Sequence, residues 1–262
     1  MEEFFKSTAW QMETPTSYGA FHLIFSIVGL TLAILLAYFL RKTNDKQNRI
    51  LMLVVSVFLI VCEVYKQLFY VFVIGNGQYQ WWIFPFQLCS LPMYICLFCA
   101  ICKNDKINNW LYEFMFAFNL FGGFIAFLEP SGINHAYVTL TLHAYIWHLM
   151  LVFIGFYLYF SKRACNNAKG YVKGLTCFVV SAGIAQIFNV ALHTFGGVNM
   201  FFISPYYRSS LIVFEDIYAN CGWLVNMILY IIALILAGAI VFYSALFFRK
   251  LKEKQNKNKQ QV

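Results

Sequence analysis

The sequence predicts an all-α polytopic membrane protein, a single helical bundle with seven transmembrane helices. Three observations point to this fold. The 262 residues are 61% hydrophobic and only 11% charged, whereas about a quarter of a soluble protein is charged. Seven segments are apolar over the roughly 20 residues that a helix needs to cross a bilayer. Most basic residues fall in alternate connections between these segments, as the loops of a multi-pass protein require.

The seven apolar segments define one membrane domain, residues 1–248, followed by a basic tail, residues 249–262. The stretch before the first segment is acidic and polar. A secretory signal would begin with a basic region, so we expect no cleaved signal peptide. The predicted spans are 19–40, 50–74, 84–102, 110–128, 137–160, 171–193 and 222–248.

The distribution of Lys and Arg predicts the orientation of the bundle. Of the 19 basic residues, 16 lie in connections 41–49, 103–109 and 161–173 or in the tail. Because basic loops stay in the cytoplasm, we expect the N-terminus outside and the C-terminus inside a plasma membrane. The net charge of +8 is then explained by basic loops that orient the bundle in the membrane and attract anionic lipids of the inner leaflet. It does not indicate a nucleic-acid partner. The oligomeric state stays open.

The eight cysteines do not predict a disulfide framework or a metal centre. Six of them lie in predicted spans, away from an oxidising compartment. Cys96, Cys99 and Cys102 follow at intervals of three residues, which spreads them around a helix instead of directing them at one ion. Neither a metal nor another cofactor is therefore expected.

Cys89 is the candidate nucleophile, because it stands between two prolines at the start of the third span. Pro85 is predicted to begin the helix, and Pro92 to kink it and free the carbonyl of Leu88. A cysteine near the positive end of a helix is favoured as the reactive thiolate. The alternative is an inert cysteine that fills space in an apolar interior.

Charged and polar side chains in other spans lie at similar depth. Glu63, Lys66 and Tyr70 share one helical face and predict either a structural ion pair or a wall of a polar chamber. His143 and His148 face different directions on the fifth span. Each of these histidines is either a hydrogen-bonded core residue or a group that lines the chamber.

Amide side chains add to this chamber. Gln87 opens the third span, and Asn189 belongs to a polar stripe of the sixth span that hydrogen bonds between helices would also explain. Asn199 lies in 194–221, the longest connection, whose length is typical of a lid or binding loop. With the stripe of the second span, these residues predict one substrate chamber that opens toward the outer side.

Four ordered segments resemble the YwaF / transmembrane protein 164 family: FQLCSLPMY, FGGFIAFLEP, HLMLVFIGFYL and FNVALHTFGGVNMFFIS. They span about residues 84–205, and the seven-span layout agrees. In that family the cysteine of the first segment and the histidine of the third are proposed to be catalytic, which implies Cys89 and His148 here. Gln87 stands where many bacterial members have histidine, and residues 222–230 lack a proline-containing aromatic motif often found near the last span.

The resemblance implies a cysteine-dependent acyltransferase of a bacterial plasma membrane, which remodels phospholipids through an acyl-cysteine intermediate. Membrane lipids would be the substrates, with Cys89 as nucleophile and either His148 or His143 as base and then acid. An oxyanion would need hydrogen-bond donors. The candidates, chosen by side-chain type and depth, are Gln87, Asn189 and Asn199.

A transporter or permease with a polar intramembrane site is the alternative prediction. The Glu63/Lys66 pair suits such a site, but the sequence shows no internal repeat of the kind that many transporters have. A seven-span receptor is disfavoured, because the span 222–248 has no lysine to bind retinal.

Overall fold

The computed structural model describes residues 1–260 and confirms the all-α fold, with nine α-helices in that range. The last two residues of the predicted tail, 261–262, lie outside the described residues. The helices are α1 (Glu2–Ser7), α2 (Ala20–Phe39), α3 (Asp45–Phe69), α4 (Leu91–Ile101), α5 (Asp105–Phe114), α6 (Leu120–Leu128), α7 (Val138–Phe160), α8 (Lys169–Ala191) and α9 (Phe214–Lys259).

Most of the predicted spans reappear as long apolar helices. Between residues 1 and 260, six helical stretches are long and apolar enough to cross a membrane. The third predicted span is shorter, since its apolar helix covers only Leu88–Ile101. The six long stretches are Ala20–Lys42, Asp45–Ile74, Asp105–Leu128, Val138–Phe160, Lys169–Ala191 and Phe214–Lys259.

The predicted start of the third helix at residue 84 is wrong, and the prolines explain why. Phe84 precedes Pro85 and is extended (φ −49°, ψ 130°), because the proline ring disfavours a helical conformation in the residue before it. The chain enters a 3-10 turn at Leu88–Ser90 and becomes α-helical at Leu91. Cys89 therefore precedes α4 instead of lying one turn inside a helix.

The predicted kink beside Cys89 is also wrong. Pro92 lies in the first turn of α4, where a missing amide hydrogen breaks no helical hydrogen bond. The carbonyl of Leu88 has a side-chain partner in place of a helical amide: it accepts a hydrogen bond of 2.7 Å from Asn119 Nδ2.

Two π-helical turns interrupt long helices on either side of this segment. One, Tyr70–Ile74, ends the helix that contains α3, and the other, Met115–Asn119, joins α5 to α6. A π-helical turn shifts the side chains that follow it around the helix axis, and such turns are frequent at functional sites. Here one of them begins at Tyr70 and the other ends at Asn119, the residue that binds the Leu88 carbonyl.

The helices pack through aromatic and small residues. α3 packs against α4, α7 lies between α2 and α6, and α5 packs against α8. Phe118 and Phe178 stack with ring centroids 4.5 Å apart in the centre of the bundle. Gly155 allows α7 to approach Leu120 so closely that an added Cβ would lie 2.7 Å from its side chain. Such small residues at helix contacts are typical of membrane bundles.

The last helix consists of two segments. Gly222 has φ 80° and ψ 173°, which breaks the helix between Phe214–Cys221 and the long apolar segment that follows. Part of the predicted basic tail is helical, because α9 continues to Lys259. Arg249 anchors it, with its guanidinium 4.3 Å from the ring centroid of Tyr159 and a hydrogen bond of 3.1 Å to the carbonyl of Ala164.

Candidate functional site

A cavity of about 590 Å³ lies where α3, the segment before α4, the connection between α6 and α7, α7 itself and the connection 194–213 meet. It brings together residues from five separate parts of the sequence, as the predicted polar chamber requires. Asn189 is the one predicted site residue that does not line it. The other eight do: Glu63, Lys66, Tyr70, Gln87, Cys89, His143, His148 and Asn199.

The backbone on both sides of the Cys89 thiol is fixed by neighbouring helices. Trp147 Nε1, from α7, donates a hydrogen bond of 2.9 Å to the carbonyl of Cys89 itself. The Leu88 carbonyl is bound by Asn119, and the amide of Ser90 donates to the carbonyl of Gln87 at 2.8 Å. The cysteine is thus presented to the cavity by a segment whose backbone is held on two sides, which favours a defined position for the thiol.

His148 lines the same cavity with one nitrogen already engaged. Its Nδ1 lies 2.7 Å from the carbonyl of Ala144, one turn earlier on α7. A carbonyl can only accept, so Nδ1 carries the proton and Nε2 is the basic nitrogen of the neutral ring. Nε2 has no hydrogen-bond partner among residues 1–260, so it is available to accept a proton from a group in the cavity.

His143 has a different environment from His148. Its ring stacks on the Trp147 indole, with centroids 5.4 Å apart and an interplanar angle of 25°. Its Nε2 is buried and has no partner within the described residues. Both rings thus have an Nε2 without a partner. They differ in that His143 contacts the side chain that binds the Cys89 carbonyl, whereas Nδ1 of His148 is held by the carbonyl of Ala144.

Glu63 and Lys66 form the predicted ion pair in the cavity wall. Lys66 Nζ lies 2.8 Å from Glu63 Oε1, and the same oxygen accepts from Gln67 Nε2 at 2.6 Å. Gln67 in turn donates to the carbonyl of Ile83 at 2.8 Å, which ties α3 to the segment before Cys89. Only 5% of the Glu63 side chain and 21% of the Lys66 side chain are exposed. The pair gives the wall a fixed, nearly neutral pair of charges.

The amides predicted to stabilise an oxyanion instead hold the connection after α8. Gln87 Nε2 donates to the carbonyl of Asn199 at 2.9 Å, and Gln87 Oε1 accepts from the amide of Phe201 at 2.8 Å. Asn189 binds both backbone groups of Met200, at 2.6 and 3.0 Å. The side chain of Asn199 accepts from the amide of Ser204 at 2.9 Å through Oδ1. Because these contacts shape the loop, we assign the three amides to positioning the cavity wall.

Several further cavity residues were not assigned to the site from sequence. Tyr207 binds the carbonyl of His193 at 2.7 Å, and Arg208 Nε lies 3.8 Å from Glu215 Oε1 with half of its side chain exposed. Arg208 is one of only two basic residues in the predicted outer segments, and this rarity could have indicated a site residue from sequence alone. Trp147 gave no such indication, since an indole in an apolar span is typical of core packing.

His135 lines the cavity from the connection between α6 and α7. Burial lowers the pKa of His135, and the positive charge of Lys66 lowers it further. The side chain is therefore neutral near pH 7 and does not add to the positive charge of the cavity.

The cavity offers a thiol, histidine rings and an ion pair for chemistry. Across residues 1–260, no group of three or more His, Cys, Asp or Glu side chains is placed to hold a metal ion. A cysteine and a histidine with a free Nε2 in one cavity suit nucleophilic transfer of an acyl group.

A comparison with known protein families gives a match. The model of the TMEM164 family matches residues 16–246, which include every residue of the site. No curated protein and no solved structure matches the chain.

Proposed function

The chain belongs to the TMEM164 family, and we propose that this multi-pass membrane protein is a cysteine-dependent acyltransferase that acts on lipid acyl chains. One observation carries the proposal: a single cavity is lined by Cys89 and by His148, whose Nε2 is free to accept a proton. The chain is built for the membrane, so esters of membrane lipids are the acyl donors within reach. The proposal needs no cofactor.

In the first half-reaction, His148 Nε2 accepts the proton of the Cys89 thiol. The thiolate attacks the carbonyl carbon of a lipid ester, and a carbon–sulfur bond forms. The bond from that carbon to the glycerol oxygen then breaks. The alkoxide takes the proton from His148 and leaves as a lysolipid, while the acyl group stays on Cys89 as a thioester.

In the second half-reaction, a hydroxyl of an acceptor lipid gives its proton to His148. Its oxygen attacks the thioester carbonyl, a carbon–oxygen bond forms and the carbon–sulfur bond breaks. The thiolate of Cys89 regains the proton, so the protein returns to its starting state. One acyl chain has moved, with no net oxidation or reduction.

Lys66 is the side chain we assign to stabilising the oxyanion of both steps. Its ammonium has three donors, and only one is needed for the bond to Glu63. A cation that is largely shielded from bulk water stabilises developing negative charge more than it would in water. We assign Arg208, which lines the cavity from the connection 194–213, to the attraction of the phosphate of an incoming phospholipid.

The proposal is tested by trapping the thioester. The full chain in lipid nanodiscs is incubated with a phospholipid that carries an alkyne-labelled acyl chain, and protein labelling is measured before and after neutral hydroxylamine. We expect wild-type label that hydroxylamine removes, and none in Cys89→Ala. Cys102→Ala is the matched control, because Cys102 lies at the far end of α4 and does not line the cavity. Equal, hydroxylamine-sensitive labelling of Cys89→Ala would overturn the proposal.

The transporter alternative predicts a different pattern for the same variants. Solute flux into proteoliposomes would persist in Cys89→Ala and be lost in Glu63→Gln, because a transport site would depend on the ion pair and not on the thiol. If Cys89→Ala loses the acyl label, and neither the wild type nor any variant shows solute flux, the result supports the acyltransferase.

A further inference from the structure

A second cavity, of about 430 Å³, lies at the opposite end of the bundle and shares no lining residue with the first. It is formed by the first turns of α3 and α5 and by the turn after α7. On α3, Asn48 lines the second cavity and Glu63 the first. These residues are separated by about 22 Å along the helix axis. Its lining includes five charged side chains and a buried amide: Asp45, Arg49, Asp105, Lys162, Arg163 and Asn108.

Cationic side chains outnumber acidic ones around the second cavity. Arg49, Lys162 and Arg163 face Asp45 and Asp105. Arg163 NH1 pairs with Asp45 Oδ1 at 2.7 Å, which removes one charge of each sign. Two cations and one acid remain. The first turns of two helices also meet here, and helix N-termini favour negative charge.

Two of these guanidinium groups have unused donors. The half-buried side chain of Arg49 makes no hydrogen bond and no ion pair within residues 1–260. In Arg163, NH1 and NH2 bind Asp45 and the carbonyl of Thr43, but the buried Nε has no partner in the described part of the chain. Buried donors without partners are rare in folded proteins, so Arg163 Nε indicates a ligand with acceptor oxygens. The half-buried guanidinium of Arg49 offers further donors in the wall of the same cavity.

An unused acceptor lies on the same wall. Asn108 is only 3% exposed, and its Nδ2 donates to the carbonyl of Cys102 at 2.9 Å. That bond fixes the orientation of the amide, and Oδ1 is left without a partner within residues 1–260. A ligand that binds both the arginine donors and Asn108 Oδ1 therefore carries a hydrogen-bond donor close to its acceptor oxygens.

We propose that the second cavity binds a phosphate-bearing ligand, with its phosphate oxygens on Arg49 and Arg163 and a neighbouring hydroxyl on Asn108 Oδ1. Guanidinium groups match phosphate oxygens in geometry and charge. Asp105 accepts from a hydroxyl of the same ligand. Two sources share this chemistry: the headgroup of an anionic lipid such as phosphatidylglycerol, and free phosphate. The proposal does not depend on the chemistry at Cys89.

The test measures thermal unfolding of the full chain in detergent with three probes. These are dihexanoylphosphatidylglycerol, dihexanoylglycerol, which lacks the phosphate, and inorganic phosphate. A ligand that binds the folded state raises its melting temperature, by about 4 °C at ten times the dissociation constant. We expect the phosphatidylglycerol to produce this shift and the dihexanoylglycerol to produce none.

The variant is Arg49→Gln, which breaks no hydrogen bond or ion pair within residues 1–260. The matched control is Lys46→Gln, which removes the same charge from the same turn of α3 at an exposed position that does not line the cavity. We expect at least a tenfold weaker phosphatidylglycerol affinity in Arg49→Gln and a wild-type affinity in Lys46→Gln.

Each outcome decides the proposal. A shift with inorganic phosphate that Arg49→Gln abolishes supports a site for free phosphate, and a shift with phosphatidylglycerol alone supports a lipid headgroup. Equal shifts with dihexanoylglycerol, an unchanged response in Arg49→Gln, or equal losses in both variants would overturn it. Since none of these measurements uses acyl labelling, their failure would be distinct from a failure at Cys89.

Discussion

The indole Nε1 of Trp147 donates a hydrogen bond of 2.9 Å to the carbonyl oxygen of Cys89, and the same indole stacks on His143. This contact joins α7, which also bears His148, to the turn that presents the thiol. A side chain that fixes both the nucleophile segment and a neighbouring histidine is expected to affect the reaction more than the fold.

Replacing Trp147 by Phe tests this positioning role. Phe keeps an aromatic ring against His143 but removes the indole N–H, so the Cys89 carbonyl loses its partner at a cost of about 1–3 kcal/mol. We expect acylation of Cys89 to slow by about tenfold, with no change in the lipid concentration at half-maximal rate. The control is Trp110→Phe, since Trp110 is 41% exposed and lies outside the cavity. An unchanged rate in Trp147→Phe contradicts the role.

Variants of the Glu63–Lys66 pair are predicted to affect thermal stability and acylation of Cys89 differently. Glu63→Gln leaves the Lys66 ammonium without its counter-ion in a mostly buried wall, which costs about 3 kcal/mol. The double variant Glu63→Gln/Lys66→Met removes the unpaired charge, so we expect it to regain at least half of the lost thermal stability. If Lys66 stabilises the oxyanion, the double variant folds but is not acylated.

Thermal melting measures the regained stability of the double variant, and hydroxylamine-sensitive labelling of the same samples measures its acylation. The exposed pair Glu2–Lys6 serves as control, because both side chains are more than half exposed. We expect Glu2→Gln to melt like the wild type, as surface pairs contribute little. A double variant that is labelled at the wild-type rate would remove Lys66 from the mechanism.

The chamber could be predicted because polar residues are rare in this sequence. Glu63, Lys66, Cys89 and His148 were expected to meet on the ground that charged and polar groups in lipid face the interior of a bundle, and all four line one cavity. The helix start near Cys89 could not be predicted from the two prolines alone. Each proline fits several positions in a first turn, and packing on neighbouring helices decides among them.

The role of the amides could not be predicted for a different reason. For Gln87 and Asn189, side-chain type and depth in the membrane do not reveal that the backbone of a distant loop needs hydrogen-bond partners. Residues 199–201 form an irregular turn with Phe201 at φ 56°. A buried backbone outside a helix must find hydrogen bonds elsewhere, and these amides provide them.

His135 predicts a pH dependence of stability. Burial, together with the charge of Lys66, lowers the pKa of His135 in the folded state below its ordinary value of 6.5. The unfolded chain then binds more protons as the pH falls through about 6.5, so stability is full above that pH and declines below it. We expect a lower melting temperature near pH 5 than near pH 7.5, and a smaller difference in His135→Gln. Equal differences in the two proteins would exclude His135 as the cause.

Two glycines predict opposite responses to the same substitution. Gly222 has φ 80° and ψ 173°, a region that is essentially restricted to glycine and costs other residues about 1–3 kcal/mol. Gly183 lies inside α8 with helical neighbours, where alanine is favoured by up to about 1 kcal/mol. An added Cβ meets no atom within 4 Å at either position, so steric clash does not contribute.

We therefore expect Gly222→Ala to lower the melting temperature and Gly183→Ala to keep or raise it. Because Gly222 separates the segment Phe214–Cys221 from the membrane-spanning part of α9, its substitution should also disturb the residues that pack on that segment. Phe214 contacts Tyr230 across the break, with ring centroids 5.0 Å apart. Hydrogen exchange of the amides in 214–221 is thus expected to rise in Gly222→Ala and stay unchanged in Gly183→Ala. If alanine is tolerated equally at both positions, the helix passes residue 222 without the break.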